Sequence, residues 1–417
     1  MRAAAAGFAR AHRDTVAGVL AVLVLFRVLF PLAVLAQSPG RVLSGFPRFK
    51  YNPLPGDAYG YYSCVRELIA VWQRDARFVG PVFVLAVVAV VAAFRYSRRP
   101  ALRLGVVVWS LGAVAAVLTH GVRFTGAAQV GWPLLWSVPL LPLRALGSSV
   151  VRPDVAFGFG LAILLVCNGV IVVASYLLGR AVGLGTKFAL VGAGLFAFWP
   201  VLALLAGSSG SQNGTWQIDL GLSLYSEPLS TALVLVALVR VLRSPSSNAA
   251  SLLTGTLLGF AVLVRLSNVL IVACVLVFLW VWRERKRIVP VVVGALASAP
   301  AALLFWPKSY PKLKPPDHPL FALGYARDAW AHSLLWHPSV LVMLVPLALL
   351  GTVRASRRAA ALLWSCVAVT AAFYTFYLFT PIHPRFLFVV LPIVLVFWAA
   401  GAAFVVRAAA SLYDRPR

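Results

Sequence analysis

The chain has 417 residues, of which 61% are hydrophobic and only 12% are charged. A soluble globular protein carries roughly 25% charged residues, so this composition excludes that class of protein. The formal net charge of +26 would suggest nucleic-acid binding in a soluble protein, but here the basic residues are scattered among the loops between apolar runs. We therefore expect a polytopic membrane protein whose positive charge meets membrane lipids, with no nucleic-acid partner.

Apolar runs of about 20 residues, each long enough to cross ~30 Å of hydrocarbon as a helix, recur along the whole chain. They predict an all-α, polytopic helical membrane protein with about twelve transmembrane helices. No room is left for a soluble domain, so residues 1–417 form a single integral membrane domain. The first run is too long for a signal-peptide core, which favours a retained first span. The predicted spans are 15–37, 79–95, 103–120, 153–178, 185–206, 226–243, 251–265, 268–282, 288–306, 339–352, 360–379 and 386–406.

Basic residues near the ends of the spans predict the orientation of the chain in the cell (plasma) membrane. Basic clusters at 95–103, 283–287 and 354–358 place these segments and both termini in the cytoplasm. The segment GWPLLWSVPLLPLRALG, 131–147, would reverse the later topology if it crossed the membrane, so we interpret it as interfacial or re-entrant. A chain that elaborates one face is expected to work there. The long outer loops, which carry interfacial helices, are then about 38–78, 121–152, 207–225 and 307–338.

The first outer loop contains an acid at the start of a predicted surface helix. Asp57 follows a turn rich in Pro and Gly, and apolar residues then recur at helical spacing as far as Trp72. Asp57 is either a helix cap, with Tyr59 among the interfacial aromatic residues, or a general base that deprotonates a hydroxyl at the outer leaflet. The spacing does not decide between these interpretations.

Two further acids lie close to the start of the span 226–243. Glu227, in the sequence YSEP, opens the span with Pro228 in the first helical turn, and Asp219 lies upstream in the same loop. The helix dipole favours an acid at this place, which explains Glu227 without any function. A second acid in so short a loop instead suggests a metal ligand or a carboxylate that binds an acceptor.

Arg265 lies between two apolar segments in GFAVLVRLSNVLIV, 259–272. A single Arg at a helix centre costs ~2.5–3.5 kcal/mol, and such residues usually face a cavity or a partner. Arg265 either snorkels to the outer surface or binds a lipid-linked phosphate. In the second case its natural partner is Arg385 in TPIHPRFLFVV, and His383 could donate to the same phosphate.

The outer loop WPKSYPKLKPPDHP, 306–319, breaks the positive-inside pattern with lysines among prolines, which make it stiff and extended. It is either a solvated basic loop or a cover over an anionic substrate. The residues expected to face the substrate are then Tyr59, Lys308 and Lys312. The four cysteines are far apart and indicate neither a disulfide framework nor a metal site. Arg27, inside the first span, has no partner that the sequence identifies.

In chain order these motifs resemble the GT-C glycosyltransferase superfamily, whose multi-span members transfer a sugar from a polyprenyl-phosphate donor at the outer leaflet. The resemblance rests on the acid of the first outer loop, GWPLLWSVPLLPLRAL, SYLLGRAVG, YSEP, GFAVLVRLSN and HPRFLFVVLP. It implies that Asp57 is the general base and that Arg265 and Arg385 hold the donor phosphate. Asp57 is followed by Ala58 and Tyr59 and not by a second acid, so no cofactor is required and a divalent metal ion is left open.

The expected activity is inverting transfer of a sugar, with a hexose such as mannose favoured, to a glycan, lipid or protein acceptor. The candidate catalytic carboxylates are Asp57, Glu227 and Asp219. A polyprenyl phosphate leaves readily when cationic side chains neutralise its developing charge. The alternative is a 12-span secondary transporter, which predicts short loops on both faces and two related halves. A lipid-binding or scaffold protein without catalysis is a third option, and the elaboration of one face favours the enzyme.

Overall fold

The computed structural model describes residues 2–37, 57–122, 129–145, 153–205, 224–243, 247–309, 319, 321–327, 338–377 and 384–413. Of these residues 89% are helical and none forms a strand. Phe321 and Tyr377 make an isolated antiparallel bridge. The prediction of an all-α protein is therefore confirmed.

The helices follow one another with short connections in most of the described ranges. In the first half of the chain they are α1 (Arg2–Gln37), α2 (Asp57–Arg74), α3 (Ala76–Tyr96), α4 (Pro100–Gly121), α5 (Gly131–Ser137), α6 (Leu140–Ala145), α7 (Pro153–Val182), α8 (Thr186–Ala197) and α9 (Trp199–Leu205). In the second half they are α10 (Glu227–Arg243), α11 (Asn248–Val264), α12 (Val269–Val281), α13 (Ile288–Leu296), α14 (Ala299–Ser309), α15 (Pro338–Arg354), α16 (Arg357–Thr375) and α17 (Leu391–Tyr413). Short 3-10 helices cover Leu266–Asn268, Arg285–Arg287 and Pro384–Val389.

Several of these helices are long and apolar enough to cross a membrane. In the described part of the chain six meet this criterion, within α1, α3, α4, α7, α16 and α17, and the bent pair 285–296 and 299–306 is a seventh candidate. Helices overlap all twelve predicted spans, but the others, among them α8, α11 and α12, are shorter. The chain thus has the helices of a membrane protein, while the number of spans and their orientation stay predictions.

Two polar clusters mark opposite ends of the bundle, joined by α10, α11 and α12. Each of α10 and α11 has 17 residues and is therefore ~25 Å long at 1.5 Å per residue. Glu227 opens α10 beside Arg265, which follows α11, and we call this the Glu227 end. At the other extremity of α10, the carbonyl of Val241 accepts a hydrogen bond of 3.1 Å from Arg287, and we call this the Arg287 end.

Ion pairs connect the helices at the Arg287 end. From the sequence, the basic residues of these pairs predict only the orientation of the chain in the membrane. Arg287 is buried, and its Nη1 lies 2.6 Å from a carboxylate oxygen of Glu284. The other oxygen of Glu284 binds Arg358 at the start of α16. Positive charge beside the last carbonyls of α10 is also favoured by the helix dipole. The basic turn at 283–287 therefore connects α10 and α16.

Glycine allows some neighbouring helices to approach so closely that their backbones touch. A Cβ added at Gly255 of α11 would collide with the carbonyl of Val291 in α13, and one added at Gly401 of α17 would collide with the carbonyl of Leu347 in α15. Close approach of this kind is common in membranes, where lipid and protein are equally apolar and helices associate through packing.

Of the segment 131–147, the structure describes residues 131–145, which form two short helices at the Glu227 end. α5 has seven residues and α6 has six, whereas crossing the hydrocarbon takes about 20. The indole of Trp132 donates to the carbonyl of Leu224 at 3.0 Å, and that of Trp136 donates to the carbonyl of Ala156 at 2.6 Å. This geometry agrees with a segment that does not cross the membrane.

Arg27, which has no partner that the sequence identifies, is fully buried between helices. Its Nε and Nη2 donate to the side-chain oxygen of Asn168 in α7 at 3.0 and 2.7 Å. Its guanidinium carbon also lies 4.7 Å from the centre of the Phe196 ring. The structure therefore gives Arg27 a polar and an aromatic neighbour, which offset the cost of a charge inside a span.

Candidate functional site

A buried ion pair occupies the Glu227 end of the bundle. Nη1 of Arg265 lies 2.6 Å from Oε1 of Glu227, and only 11% and 4% of the two side chains are exposed. Two charges are removed from water here, and their mutual attraction must offset a desolvation cost of several kcal/mol per ion. Such a pair is retained where its geometry is well supported by further hydrogen bonds.

The local sequence around each partner explains why the two side chains meet. Glu227 is the first residue of α10, where Pro228 is well tolerated in the first turn. α11 ends at Val264, and Arg265 then adopts an extended backbone with φ −149° and ψ 114°. The chain turns through the 3-10 helix Leu266–Asn268 and enters α12. This break directs Arg265 out of its own helix and towards α10.

Asn268 fixes the position of this turn. Its side-chain amide nitrogen donates to the carbonyl of Ala261 in α11 at 2.7 Å and to the hydroxyl of Ser230 in α10 at 2.8 Å. Ser230 lies one helical turn after Glu227, so the same contact sets the register of α10 against the turn. These two hydrogen bonds therefore fix the position of Arg265 along the axis of α10, beside the carboxylate of Glu227.

Aromatic side chains cover the other faces of the guanidinium. Nη2 of Arg265 donates to the hydroxyl of Tyr374 at 3.2 Å, and that hydroxyl lies 2.6 Å from Oγ of Ser267. The guanidinium carbon lies 4.9 Å from the centre of the Phe386 ring. Tyr374 and Phe386 stack on each other with centroids 5.0 Å apart. Cation–π contact in a desolvated place is worth ~2 kcal/mol, so the rings help to hold Arg265.

Helix α2 joins the same cluster through its N-terminal half. The hydroxyl of Tyr61 lies 3.3 Å from Oγ of Ser226, the residue before Glu227, and Tyr61 interacts electrostatically with Arg265. Tyr62 packs against Trp136 of α5 with ring centroids 6.1 Å apart. Because Asp57 is the first residue of α2, it stands one helical turn, ~6 Å along the axis, before Tyr61.

One face of α2 is closed to solvent. Cys64 is fully buried, and burial raises the pKa of its thiol, with a smaller contribution from Glu67. Burial likewise raises the pKa of Tyr62, partly offset by Arg66. These groups are therefore neutral at physiological pH and serve packing.

The structure describes the side chains of some predicted site residues and only the backbone of others. Glu227 and Arg265 are in direct contact. Asp57 opens α2, and Arg385 lies in the 3-10 helix Pro384–Val389 next to Phe386, which contacts Arg265. For Asp57 and Arg385 only the backbone is described. Their roles in catalysis and phosphate binding stay predictions.

The remaining predicted site residues have no described contact with the ion pair. Tyr59, in the first turn of α2, is 62% exposed. Lys308 lies near the end of α14, with its side chain outside the described atoms. Asp219, His383 and Lys312 lie outside the described residues.

Several residues of the cluster are not apparent as functional from the sequence. Tyr61, Ser226, Ser267, Asn268 and Tyr374 surround the ion pair. The signal for Tyr374 is its place among the aromatic residues that end α16, and the signal for Asn268 is its proximity to Arg265 in RLSN. Within the described ranges no three His, Cys, Asp or Glu side chains form a group that could hold a metal ion.

Comparisons with protein-family models, with curated proteins and with solved structures found no match for this chain.

Proposed function

We propose that the protein is a membrane glycosyltransferase of the GT-C type, which moves a sugar from a polyprenyl-phosphate donor to an acceptor at the outer face of the cell membrane. The observation that supports this most is the buried Glu227–Arg265 pair at one end of an apolar helical bundle, connected through Ser226 and Tyr61 to the helix that Asp57 opens. Carboxylates and a cation near one membrane face are the groups that such a transfer needs.

Asp57 acts as the general base in the proposed reaction. It takes the proton from a hydroxyl of a glycan, lipid or protein acceptor, and the freed oxygen attacks the anomeric carbon of the sugar. The bond between that carbon and the phosphate oxygen breaks, and its electron pair leaves with the polyprenyl phosphate. A single displacement inverts the anomeric configuration. A positioned base contributes ~10²–10⁴-fold to the rate.

Arg265 and Arg385 stabilise the negative charge that develops on the leaving phosphate. Of the five N–H donors of Arg265, one meets Glu227 and another meets Tyr374, which fixes the plane of the guanidinium. Glu227 is accordingly a positioning residue whose charge also neutralises part of that of Arg265. The second cation, Arg385 with His383 beside it, is needed because Arg265 alone is largely compensated.

The outer loops complete the proposed substrate site. Tyr59 is exposed in the first turn of α2, close in sequence to the base, and can stack on a sugar or an acceptor. Lys308 and Lys312 would cover the anionic donor, and Asp219 would bind acceptor hydroxyls. Mannose is the favoured sugar. The scheme runs without a cofactor, and a divalent metal ion is left open.

Transfer of radiolabelled sugar from polyprenyl-phosphate donors in proteoliposomes tests the proposal. We expect Asp57→Asn to lower transfer by ~10²–10⁴-fold, because the base is lost. Asp75→Asn is the matched control, since Asp75 is a partly exposed carboxylate just after α2 that pairs with Arg74 at 3.8 Å. It should transfer at the wild-type rate. Full activity of Asp57→Asn would remove Asp57 from the mechanism. If no donor supports transfer while a solute accumulates along an ion gradient, the protein is the alternative secondary transporter.

A further inference from the structure

An apolar groove runs between α1, α7 and α10. Its volume is about 980 Å³, at the upper end of the range of roughly 300–1,000 Å³ for small-molecule sites. Along α7 its lining extends from Ala162 to Leu177, which corresponds to ~22 Å of helix at 1.5 Å per residue. Val24 and Val28 of α1 form the opposite wall. Because α1 and α7 are long and apolar enough to cross a membrane, we expect this groove to lie within the hydrocarbon region.

Charge is concentrated at one extremity of the groove. Its described lining is apolar except for Arg240 and Arg243, both in the last turn of α10 at the Arg287 end. Arg240 is held by a hydrogen bond of 3.3 Å from its Nη2 to the carbonyl of Ala250. Its Nε is buried and has no hydrogen-bond partner among the described residues. A buried guanidinium donor without an acceptor costs ~1–3 kcal/mol or more, so an external acceptor would be favourable here.

We propose that the groove binds one anionic diacyl phospholipid of the membrane, with its phosphate on Arg240 and Arg243 and its acyl chains along α7. Guanidinium groups bind phosphate oxygens through paired, charge-assisted hydrogen bonds. Half of a bilayer core is ~15 Å thick, so the chains of a lipid anchored at the arginines fit within the ~22 Å of groove. The topology expected from the basic loops places this lipid in the cytoplasmic leaflet.

The position of the arginines favours a phospholipid over the sugar donor. Glu227 and Arg240 are separated by 13 residues of α10, which is ~20 Å along the helix axis. A donor engaged in the proposed transfer has its phosphate at the Glu227 end and cannot place it on Arg240. The lipid site therefore does not depend on the proposed transferase activity.

Lipid retention measured by native mass spectrometry of the full-length protein tests the headgroup. The protein is offered equal amounts of phosphatidylglycerol and phosphatidylcholine in detergent. We expect the wild type to retain one phosphatidylglycerol in preference to phosphatidylcholine. The variant Arg240→Gln/Arg243→Gln should lower that preference by about 25-fold, or about fivefold for each arginine. Arg180→Gln is the control, because Arg180 is an exposed arginine near the same end of α7 that binds Thr186 and does not line the groove.

A second pair of measurements tests the position of the chains. Val173→Phe fills the groove from a partly exposed position and should reduce retention of both lipids. In the unaltered protein, a phosphatidylglycerol with a photoreactive acyl chain should label residues 162–177 and 236–243. Unlabelled phosphatidylglycerol should compete with this labelling, whereas phosphatidylcholine and inorganic phosphate should not.

Three outcomes would overturn the proposal. The first is a wild type that retains the two phospholipids equally, or a double arginine variant whose preference for phosphatidylglycerol equals that of the wild type. The second is labelling spread over all the lipid-facing helices. The third is preferential retention of a polyprenyl phosphate, which would assign the groove to that lipid instead.

Discussion

Replacing Glu227 by Gln removes the charge that neutralises Arg265 while keeping the shape of the side chain. The two side chains are 4% and 11% exposed and their charged atoms are 2.6 Å apart, so the guanidinium would stay in a poorly solvated place. Breaking a buried pair by removing one partner costs ~3–5 kcal/mol. The Gln oxygen can still accept a hydrogen bond, and Tyr374 and Phe386 still contact the guanidinium. We therefore expect a loss of ~3 kcal/mol, at the low end of that range.

Thermal unfolding of the purified full-length protein in detergent measures this loss. An unfolding entropy of ~2.1 cal/mol/K per residue over the chain gives ~0.9 kcal/mol/K, so ~3 kcal/mol lowers the Tm by ~3–4 °C. Asp75→Asn is the control, since its pair with Arg74 is 3.8 Å apart and a third or more exposed, and should cost under ~1 kcal/mol. The double variant Glu227→Gln/Arg265→Gln should lose less than the sum of the single variants, because no buried charge is left. A Glu227→Gln protein that melts together with the control would contradict a buried, mutually dependent pair.

Three further predictions concern the packing of the bundle. Asn168→Leu removes the acceptor of two N–H groups of the buried Arg27, and we expect it to cost ~1.5–3 kcal/mol in the same melting assay. An unchanged Tm would show that this contact is dispensable. Gly401→Ala places a methyl group against the backbone of α15 and should destabilise by ~1–3 kcal/mol, whereas Gly18→Ala, which meets no neighbouring atom within 4 Å, should not destabilise the protein. Equal melting of the two alanine variants would argue against the close approach of α15 and α17. In a protein that keeps Cys64 as its single cysteine, maleimide should label the thiol only after denaturation, since burial raises its pKa and the reactive thiolate is scarce below that pKa. Rapid labelling of the native protein between pH 7 and 9 would contradict this.

The pairing of Glu227 with Arg265 changes how the two residues are understood. From the sequence, Arg265 is expected either at the surface or beside Arg385 on a phosphate, and Glu227 is a candidate for catalysis. In the structure each is the neighbour of the other. A carboxylate fixes the orientation of a guanidinium, so less side-chain entropy is lost when it binds an anion, although the carboxylate also offsets part of its charge. This is why we propose a positioning role for Glu227 and leave the proton transfer to Asp57.

Where the helices lie was largely predictable from the chain. Helices overlap all the predicted spans, and the spacing of apolar residues after Asp57 predicts the helix that the structure places at Asp57–Arg74. Both features depend on neighbouring residues, since the length of an apolar run and its period are local properties. Glu227 and Arg265 were also identifiable one at a time, because a charge within apolar sequence is costly and conspicuous.

Which helix faces meet is decided only by the tertiary structure. Tyr374 binds Arg265 across 109 positions of sequence, and Asn168 binds Arg27 across 141. In a soluble helix the polar face identifies the side that meets water, so the buried face can be inferred. A helix such as α12, VLIVACVLVFLWV, is apolar on every side, and lipid solvates such a surface as well as protein does. The partners of Arg265 and Arg27 therefore follow from packing, from glycine contacts and from the turn at Leu266–Asn268, which hydropathy and spacing do not encode.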